Sequence, residues 1–590
     1  MNDEARGLDP SDPRDPDPRG RWLLLILPLA AVVLYFGWKH MFFLCDDSFI
    51  AFRYILNRRL GYGYVWNPPP FAPVEGYTSF SWVVILDALW TITGYGPPRT
   101  APFVGGLCAL GTVFVTAWMA WRVPLPPRMQ PARPLGVALV LFGLLTNKTF
   151  LVWTSSGLET PLFVLLHVAW VGWATLGPRG PRWTTVGVWL GVGMALTRPD
   201  GLLYLAATLA FALVDPGVGG ARPRLDRWTG LPLVAFGAHL VWRRWFYGAW
   251  VPNTYFAKVG DPWPWGGWLH FSLYVLENAW FVWVPLLAFA GASFVRRLRR
   301  QGFPTAWIVP SLAVGAVLFH LVYDIVIVGG DHFEFRIYAH LPSLIFVATL
   351  PMLASALGRW SRVAPVFAVM VACTWIIAWP DFFQMIDRDV PEAPKVRHKP
   401  VAPLLPAVLA PWAELHDRTE KEAVAHVLGL PWVTHKWFRI HHGRRFPARE
   451  EILATFGPHD WEAGATGKTA FPVTGLQAVG IPAWNLPYVA ILDKYGLNDR
   501  VIARNLPKLE RHRWSAHDRF PPPGYIDCFK PSVDVQDKFV VKGRSGPFDG
   551  DDIRACEAKF FAAVARGETD RTRAIRKAAK EAEAQAEAAP

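Results

Sequence analysis

An α-helical, polytopic membrane protein carrying a separate soluble domain is the fold class this sequence predicts, and three observations predict it. Of 590 residues, 52% are apolar and only 18% charged, with 31 Trp, a composition too greasy and too aromatic for an ordinary soluble enzyme. Charged residues are nearly missing from long stretches between positions 22 and 379 and dense from 381 onward, which divides a membrane half from a soluble half. The surplus of 60 Lys and Arg over 47 Asp and Glu gives a net charge of +13, yet the Arg residues gather in short loops between apolar runs, as cytoplasmic loops require. A nucleic-acid partner is therefore not expected. Five Cys, at 45, 108, 373, 528 and 556, contain no CxxC pair, so neither a zinc module nor a dense disulfide framework is encoded.

The elements follow in order. Residues 1–21 are a run of Asp-Pro and Pro-Arg steps without an apolar face, which predicts a disordered cytoplasmic tail. The stretch 22–38 has no small-x-small cleavage site before the Lys39-His40 and Cys45-Asp46-Asp47 that follow, and is expected to stay as the first span. Further apolar segments near 101–121, 134–153, 158–176, 183–197, 201–214, 229–247, 278–294, 305–328, 340–357 and 363–379 bring the total to about eleven spans. Segment 79–93 contains Asp87 and is short, so it is placed flat in the interface as an amphipathic helix. Charge supports that placement. With 79–93 flat, loops 122–133, 177–183, 215–228, 295–304 and 358–362 share one side, holding 14 Arg against Asp215 and Asp226 alone. That side is cytoplasmic by the positive-inside rule. An odd number of spans then puts the domain over 380–560, read as α/β or α+β, outside the cell in a plasma-membrane protein whose N-terminus is cytoplasmic. Residues 561–590 read as a charged helical tail.

The loops left on the outer face hold nearly all the unusual polar clusters. They are Cys45-Asp46-Asp47-Ser48-Phe49, Val74-Glu75-Gly76-Tyr77-Thr78, Ser156-Gly157-Leu158-Glu159-Thr160, Arg198-Pro199-Asp200-Gly201, Arg243-Arg244 with Asn253 through Lys258, and Gly329-Gly330-Asp331-His332 through Arg336. Six clusters on one face invite a shared site. The paired carboxylates Asp46 and Asp47 can act as a general base, coordinate a divalent cation, or merely cap the helix that follows. Arg198, Arg244, Lys258 and Arg336 suit a phosphate, whose oxygens take charge-assisted bonds, although each alone can equally snorkel to lipid headgroups. Glu75, Tyr77, Glu159, Asp200, Asn253, Asp331 and His332 are the candidates for sugar or acceptor hydroxyls, with pairing to the Arg side chains as the structural alternative. His332 beside Asp331 lacks the spacing of a metal motif, and no metal is assigned. Asn147-Lys148-Thr149 matches a glycosylation sequon by chance frequency, and His441-His442 reads as a solvated surface.

At these residues the chain resembles the polytopic C-type (GT-C) glycosyltransferases that use polyprenyl-phosphate sugars, which carry an acidic pair in the first outer loop. Asp46 and Asp47 match that position. The fuller set is Asp-Asp-Ser-Phe-Ile with Arg53-Tyr54, Val-Glu-Gly-Tyr-Thr, Ser-Gly-Leu-Glu-Thr, Arg-Pro-Asp-Gly, Tyr247-Gly248 with Pro-Asn-Thr-Tyr-Phe-Ala-Lys, and Gly-Gly-Asp. Those motifs are similar to the mycobacterial arabinofuranosyl-transferring branch, and Tyr495 through Asp499 is similar to its outer domain. The resemblance implies inverting transfer of a sugar, with arabinofuranose the candidate, from a polyprenyl-phosphate donor to a cell-envelope glycan or lipid. The donor is then the co-substrate; no cofactor is assigned, and a divalent cation stays open as a helper. A lipid or ion transporter remains the alternative, since intramembrane ionisable groups also mark transport pathways. The clusters lie on one face rather than at a midplane, and no inverted repeat is visible, which favours the enzyme.

Overall fold

The structure, a computed structural model, describes residues 18–214, 226–258, 262–386, 400–427, 471–505, 517, 519–534, 540–541 and 548–566. The expected tails at 1–21 and 561–590 fall largely outside these, as does His441-His442. Helices dominate. In chain order they are α1 (Leu23–His40), α2 (Asp46–Arg59), α3 (Phe80–Thr93), α4 (Pro97–Arg122), α5 (Arg133–Thr146), α6 (Lys148–Val152), α7 (Thr160–Leu176), α8 (Trp183–Thr197) and α9 (Leu202–Val214). After these come α10 (Arg227–Tyr247), α11 (Asn253–Lys258), α12 (Pro264–Glu277), α13 (Val284–Gln301), α14 (Ile308–Tyr323), α15 (Leu341–Leu357), α16 (Trp360–Cys373), α17 (Ala378–Ile386) and α18 (Ala410–Val427).

Seven helical stretches among the described residues are long and apolar enough to cross a bilayer, beginning with Gly20–His40 and ending with Trp360–Phe383. Helices α3, α7, α8 and α9 are shorter and apolar. Every one of the eleven expected spans has a helix over it, including α10, which carries Arg243 and Arg244 in its last turns. The protein is a multi-pass membrane protein. Many of its large apolar side chains are exposed on outward helix faces, as lipid contact demands, among them Leu24, Phe103, Trp189, Leu213, Val234 and Phe319.

Helix α3 joins the end of α8 to the C-terminal region. Near its start, Ser81 Oγ is 2.8 Å from Thr197 Oγ1 at the end of α8. Near its other end, Trp90 packs on Trp484 of the C-terminal region, with ring centroids 5.9 Å apart. Between them Asp87 is buried and accepts hydrogen bonds from Arg58 (2.7 Å) and Tyr64 (2.5 Å), which fastens α3 to α2 and removes the cost of its charge. Elsewhere, the Trp360 indole donates to the Met129 carbonyl at 2.9 Å, joining two of the Arg-bearing loops.

The C-terminal region sits on the face that bears α2. Its parallel pair β1 (Val473–Leu476) and β2 (Ala490–Asp493) flanks the short helix Gly480–Asn485, and helix Gly550–Ala565 packs beside them. Arg53, fully buried, is the staple. Its guanidinium donates to the carbonyls of Trp66, Ala483, Leu486 and Val489 at 2.7 to 3.0 Å, so a single planar fork satisfies four backbone acceptors from two distant segments. Tyr54 beside it binds the Val74 carbonyl and Asn498. Cys528 and Cys556, 28 positions apart in sequence, form a disulfide, a pairing the bare cysteine count did not reveal.

Two carboxyls of this region set an expected pH response. Burial pushes Asp493 up to about 6, against the hydrogen bonds from Asn498 and Tyr495, and pushes Glu557 up to about 7, against that from the Ala72 amide. Both values lie above those of the unfolded chain, so the folded state binds more protons and stability falls as pH rises through this window. Thermal unfolding of the purified protein is expected at a lower temperature at about pH 8 than at about pH 5. Glu557→Gln, which keeps an acceptor for Ala72, is expected to shrink the difference. An unchanged difference in that variant means another group carries it.

Candidate functional site

The segment between α1 and α2 delivers the acidic pair. The Cys45 amide donates to the Ser156 carbonyl at 2.9 Å, and the Trp82 indole donates to the Gly157 carbonyl at 2.9 Å. The Ser156-Gly157-Leu158-Glu159 segment is thereby laid against the acidic pair. Gly157 has φ +79°, and a Cβ there would stand 2.7 Å from Leu44 Cδ2 and 2.9 Å from Ser48 Oγ, so only glycine permits this approach. Gly330, φ +90°, likewise meets His270 Cβ at 2.8 Å, which lets the Asp331 loop close down on α12.

The two aspartates have different surroundings. Asp46 is buried and accepts the backbone N–H groups of Gly480 at 3.1 Å and Ile481 at 2.7 Å, so it docks the C-terminal region onto α2. Asp47 keeps 29% of its side chain exposed, and its Oδ2 lies 4.0 Å from His332 Nε2. His332 Nδ1 in turn faces Asp331 Oδ1 at 3.2 Å, and the His517 ring packs edge-on against His332 at 4.9 Å. A carboxylate, an imidazole and a second carboxylate thus form a row beneath a residue of the C-terminal region.

Around this row stand the cations. Arg336 Nε donates to Asp331 Oδ2 at 2.9 Å, and its guanidinium lies over the Phe333 ring at 4.7 Å. Arg198 takes a forked pairing to Asp200, at 3.0 to 3.1 Å, and reaches Glu159 at 3.6 Å. Lys258, at the end of α11, is exposed, yet it feels the charges of Arg336, Asp47, Asp331 and Glu159. Eight of the thirteen sequence-derived candidates therefore converge: Asp47, Glu159, Arg198, Asp200, Lys258, Asp331, His332 and Arg336.

Charge settles several protonation states here. Burial works to raise Asp200, but Arg198 and His320 outweigh it and hold the carboxyl well below the usual range. Burial likewise opposes Asp331, and Arg336, His332 and Lys258 overcome it. A phosphate arriving between Arg198 and Arg336 would meet guanidinium groups already oriented by Asp200 and Asp331, which lowers the reorganisation needed to bind it.

The remaining five candidates lie elsewhere. Asp46 is a docking residue, as above. Arg244 is exposed and its Nη1 donates to the Gly248 carbonyl at 2.9 Å, so the inward-facing member of that Arg pair is Arg243. Arg243 Nε pairs with the buried Glu75 at 2.7 Å, which places Glu75 in a structural ion pair. Tyr77 meets Tyr247, hydroxyl to hydroxyl, at 3.3 Å. Asn253 binds the carbonyls of Gly496, Leu497 and Asp499 at 2.8 to 3.2 Å, again joining an outer loop to the C-terminal region. Asn147 of the sequon is buried and caps α6 by accepting the Phe150 amide, so it is no surface acceptor. Sequence reading missed His320, which lies on α14 and faces Asp200 at 3.1 Å. Its only local signal was a polar residue in an apolar helix.

No family profile matches this chain. Among curated proteins, 401 residues are 25% identical to the terminal beta-(1->2)-arabinofuranosyltransferase of Corynebacterium glutamicum, covering 61% of this chain. The match spans 55% of that relative's length. Among solved structures, ArnT from Cupriavidus metallidurans, crystallised bound to undecaprenyl phosphate, aligns with a TM-score of 0.46 and 14% identity, over 80% of this chain and 86% of that one. The chain's resemblance to the polytopic polyprenyl-phosphate glycosyltransferases thus extends to a curated arabinofuranosyltransferase.

Proposed function

We propose that this protein transfers a sugar, arabinofuranose in our reading, from a polyprenyl-phosphate donor to a hydroxyl of a cell-envelope glycan or lipid on the extracytoplasmic face. One observation carries the reading: Asp47, Arg198, Lys258 and Arg336, from four separate segments of the chain, come together. In the reaction, the acceptor oxygen attacks the anomeric carbon from the side opposite the phosphate, and its proton passes to the Asp47 carboxylate. The bond from the anomeric carbon to the phosphate oxygen breaks, and its electron pair leaves on polyprenyl phosphate, with inversion. The charge developing on that oxygen is met by Arg198, Lys258 and Arg336, which fill the role a divalent cation would otherwise take. Apolar helix faces beside the site suit the prenyl tail. The deciding experiment offers the purified protein a panel of polyprenyl-phosphate sugars and reads the glycosylated product by mass spectrometry. Transfer from none of them removes the assignment.

Orientation is part of the proposal. The disulfide between Cys528 and Cys556 suits an oxidising compartment, and the Arg content of loops 122–133, 177–183, 215–228, 295–304 and 358–362 suits the cytoplasmic side. Reporters fused after residues 126 and 299 are expected to read cytoplasm, and those after 65 and 480 the outside. A cytoplasmic signal at 480 reverses the topology.

A further inference from the structure

Beneath the Arg198–Asp200 pair, three helices bring their histidines to one point. His167 comes from the middle of α7, His320 from the last turn of α14, and His340 from the residue preceding α15. They are 0%, 2% and 5% exposed, and each offers a ring nitrogen within 4.8 Å of those of the other two. We propose that His167, His320 and His340 form a binding site for a zinc-class divalent transition-metal ion.

Ring packing explains part of the cluster. The His167 and His340 rings lie 4.1 Å apart, and the His320 and His340 rings stack at 6.0 Å. Packing does not explain the nitrogens. Neither Nδ1 nor Nε2 of His167 has a hydrogen-bond partner, though both are buried in the membrane half, where an unsatisfied polar atom is costly. His239 on α10 also lacks partners for both nitrogens, but it stands alone against the Phe80 ring. Convergence is what separates the two cases. Among the described residues, these three histidines are the group of His, Cys, Asp or Glu donors close enough to share an ion.

The surroundings of His320 fit a ligand. Its Nε2 faces Asp200 Oδ2 at 3.1 Å, and its Nδ1 faces the Tyr204 hydroxyl at 2.9 Å. With Nε2–H donated to Asp200, the Nδ1 lone pair accepts the Tyr204 O–H, and a metal ion would take that lone pair in its place, giving the carboxylate–histidine–metal arrangement that fixes tautomer and ring orientation. The Tyr204 oxygen, already beside that nitrogen, is placed to supply a fourth position. Asp324 Oδ2 also stands 3.8 Å from His320 Nε2. A donor set of three imidazole nitrogens selects an ion of the zinc class rather than magnesium or calcium. Tetrahedral coordination at about 2.0 to 2.1 Å asks for nitrogens roughly 3.4 Å apart, so side-chain rotations of about an ångström close the site.

The site does not depend on the transferase reading, and its test reads metal rather than activity. Full-length protein, purified in detergent and dialysed against metal-free buffer, is expected to retain about one zinc per chain by elemental mass spectrometry. Cobalt substitution is expected to give the ligand-field absorption of a four-coordinate ion. His167→Phe and His340→Phe should each lose the metal, while His239→Phe keeps it. Should those variants fail to fold, X-ray absorption of the wild type decides, because the proposal requires a first shell of nitrogen and oxygen without sulfur. Protein with no stoichiometric metal and no cobalt spectrum overturns the proposal. So does full metal retention in both His167→Phe and His340→Phe.

Discussion

Asp47→Asn is expected to give a folded protein that binds donor and loses roughly 10²- to 10⁴-fold in turnover, the range that a positioned general base contributes. The substitution keeps the size of the side chain and removes its capacity to accept a proton. Asp47 is the partly exposed member of the pair and faces His332, so its loss touches the reacting end and leaves the α2 contact with the C-terminal region intact. Asp46→Asn should fail differently. Its carboxylate takes two backbone N–H groups, whereas an asparagine carbonyl oxygen replaces only part of that and turns an NH2 toward a donor. The expected loss is one of stability, about 1.5 to 3 kcal/mol, read as a lower unfolding temperature, with turnover per folded molecule far less affected than in Asp47→Asn. Equal turnover losses in both variants would reject the division of roles. Wild-type rates in Asp47→Asn would move the search for the base to Asp331.

Much of the scaffold was legible because a bilayer punishes charge. Apolar runs and Arg-bearing loops mark where the chain crosses and turns, and the expected 101–121 became α4 over Pro97–Arg122. The outer polar loops were legible for the same reason, since ionisable groups beside apolar spans require a purpose. What stayed hidden depends on distant partners or on helical phase. The choice between Asp46 and Asp47 turns on Gly480, more than four hundred residues away. Arg243 and Arg244 differ by one step, about 100° around α10, and nothing local says which of them faces Glu75. The histidines of α7, α14 and the start of α15 share no spacing, because their meeting is a fact of packing. Cys528 and Cys556 were visible, but their pairing needed the fold.

Removing the guanidinium nearest the row of Asp47, His332 and Asp331 is the second large effect. Arg336→Gln is expected to raise the donor KM and lower kcat/KM for donor by about 10- to 150-fold, the loss of one charge-assisted phosphate contact worth roughly 1.5 to 3 kcal/mol. Acceptor KM should move far less. Arg336 also holds Asp331 at 2.9 Å, so part of any loss can come from a carboxylate left without its partner. The double variant Arg336→Gln/Asp331→Asn separates the two contributions. If ion pairing alone matters, removing both charges restores stability and much of the activity, as for any buried pair replaced together. If Arg336 binds phosphate, donor use stays impaired although the unfolding temperature recovers. Lysine at this position should rescue poorly, because an ammonium lacks the planar fork that can hold Asp331 and a phosphate oxygen together. Arg244→Ala supplies the contrast: that guanidinium is exposed and bonded to the Gly248 carbonyl, and donor kinetics there are expected to remain those of the wild type.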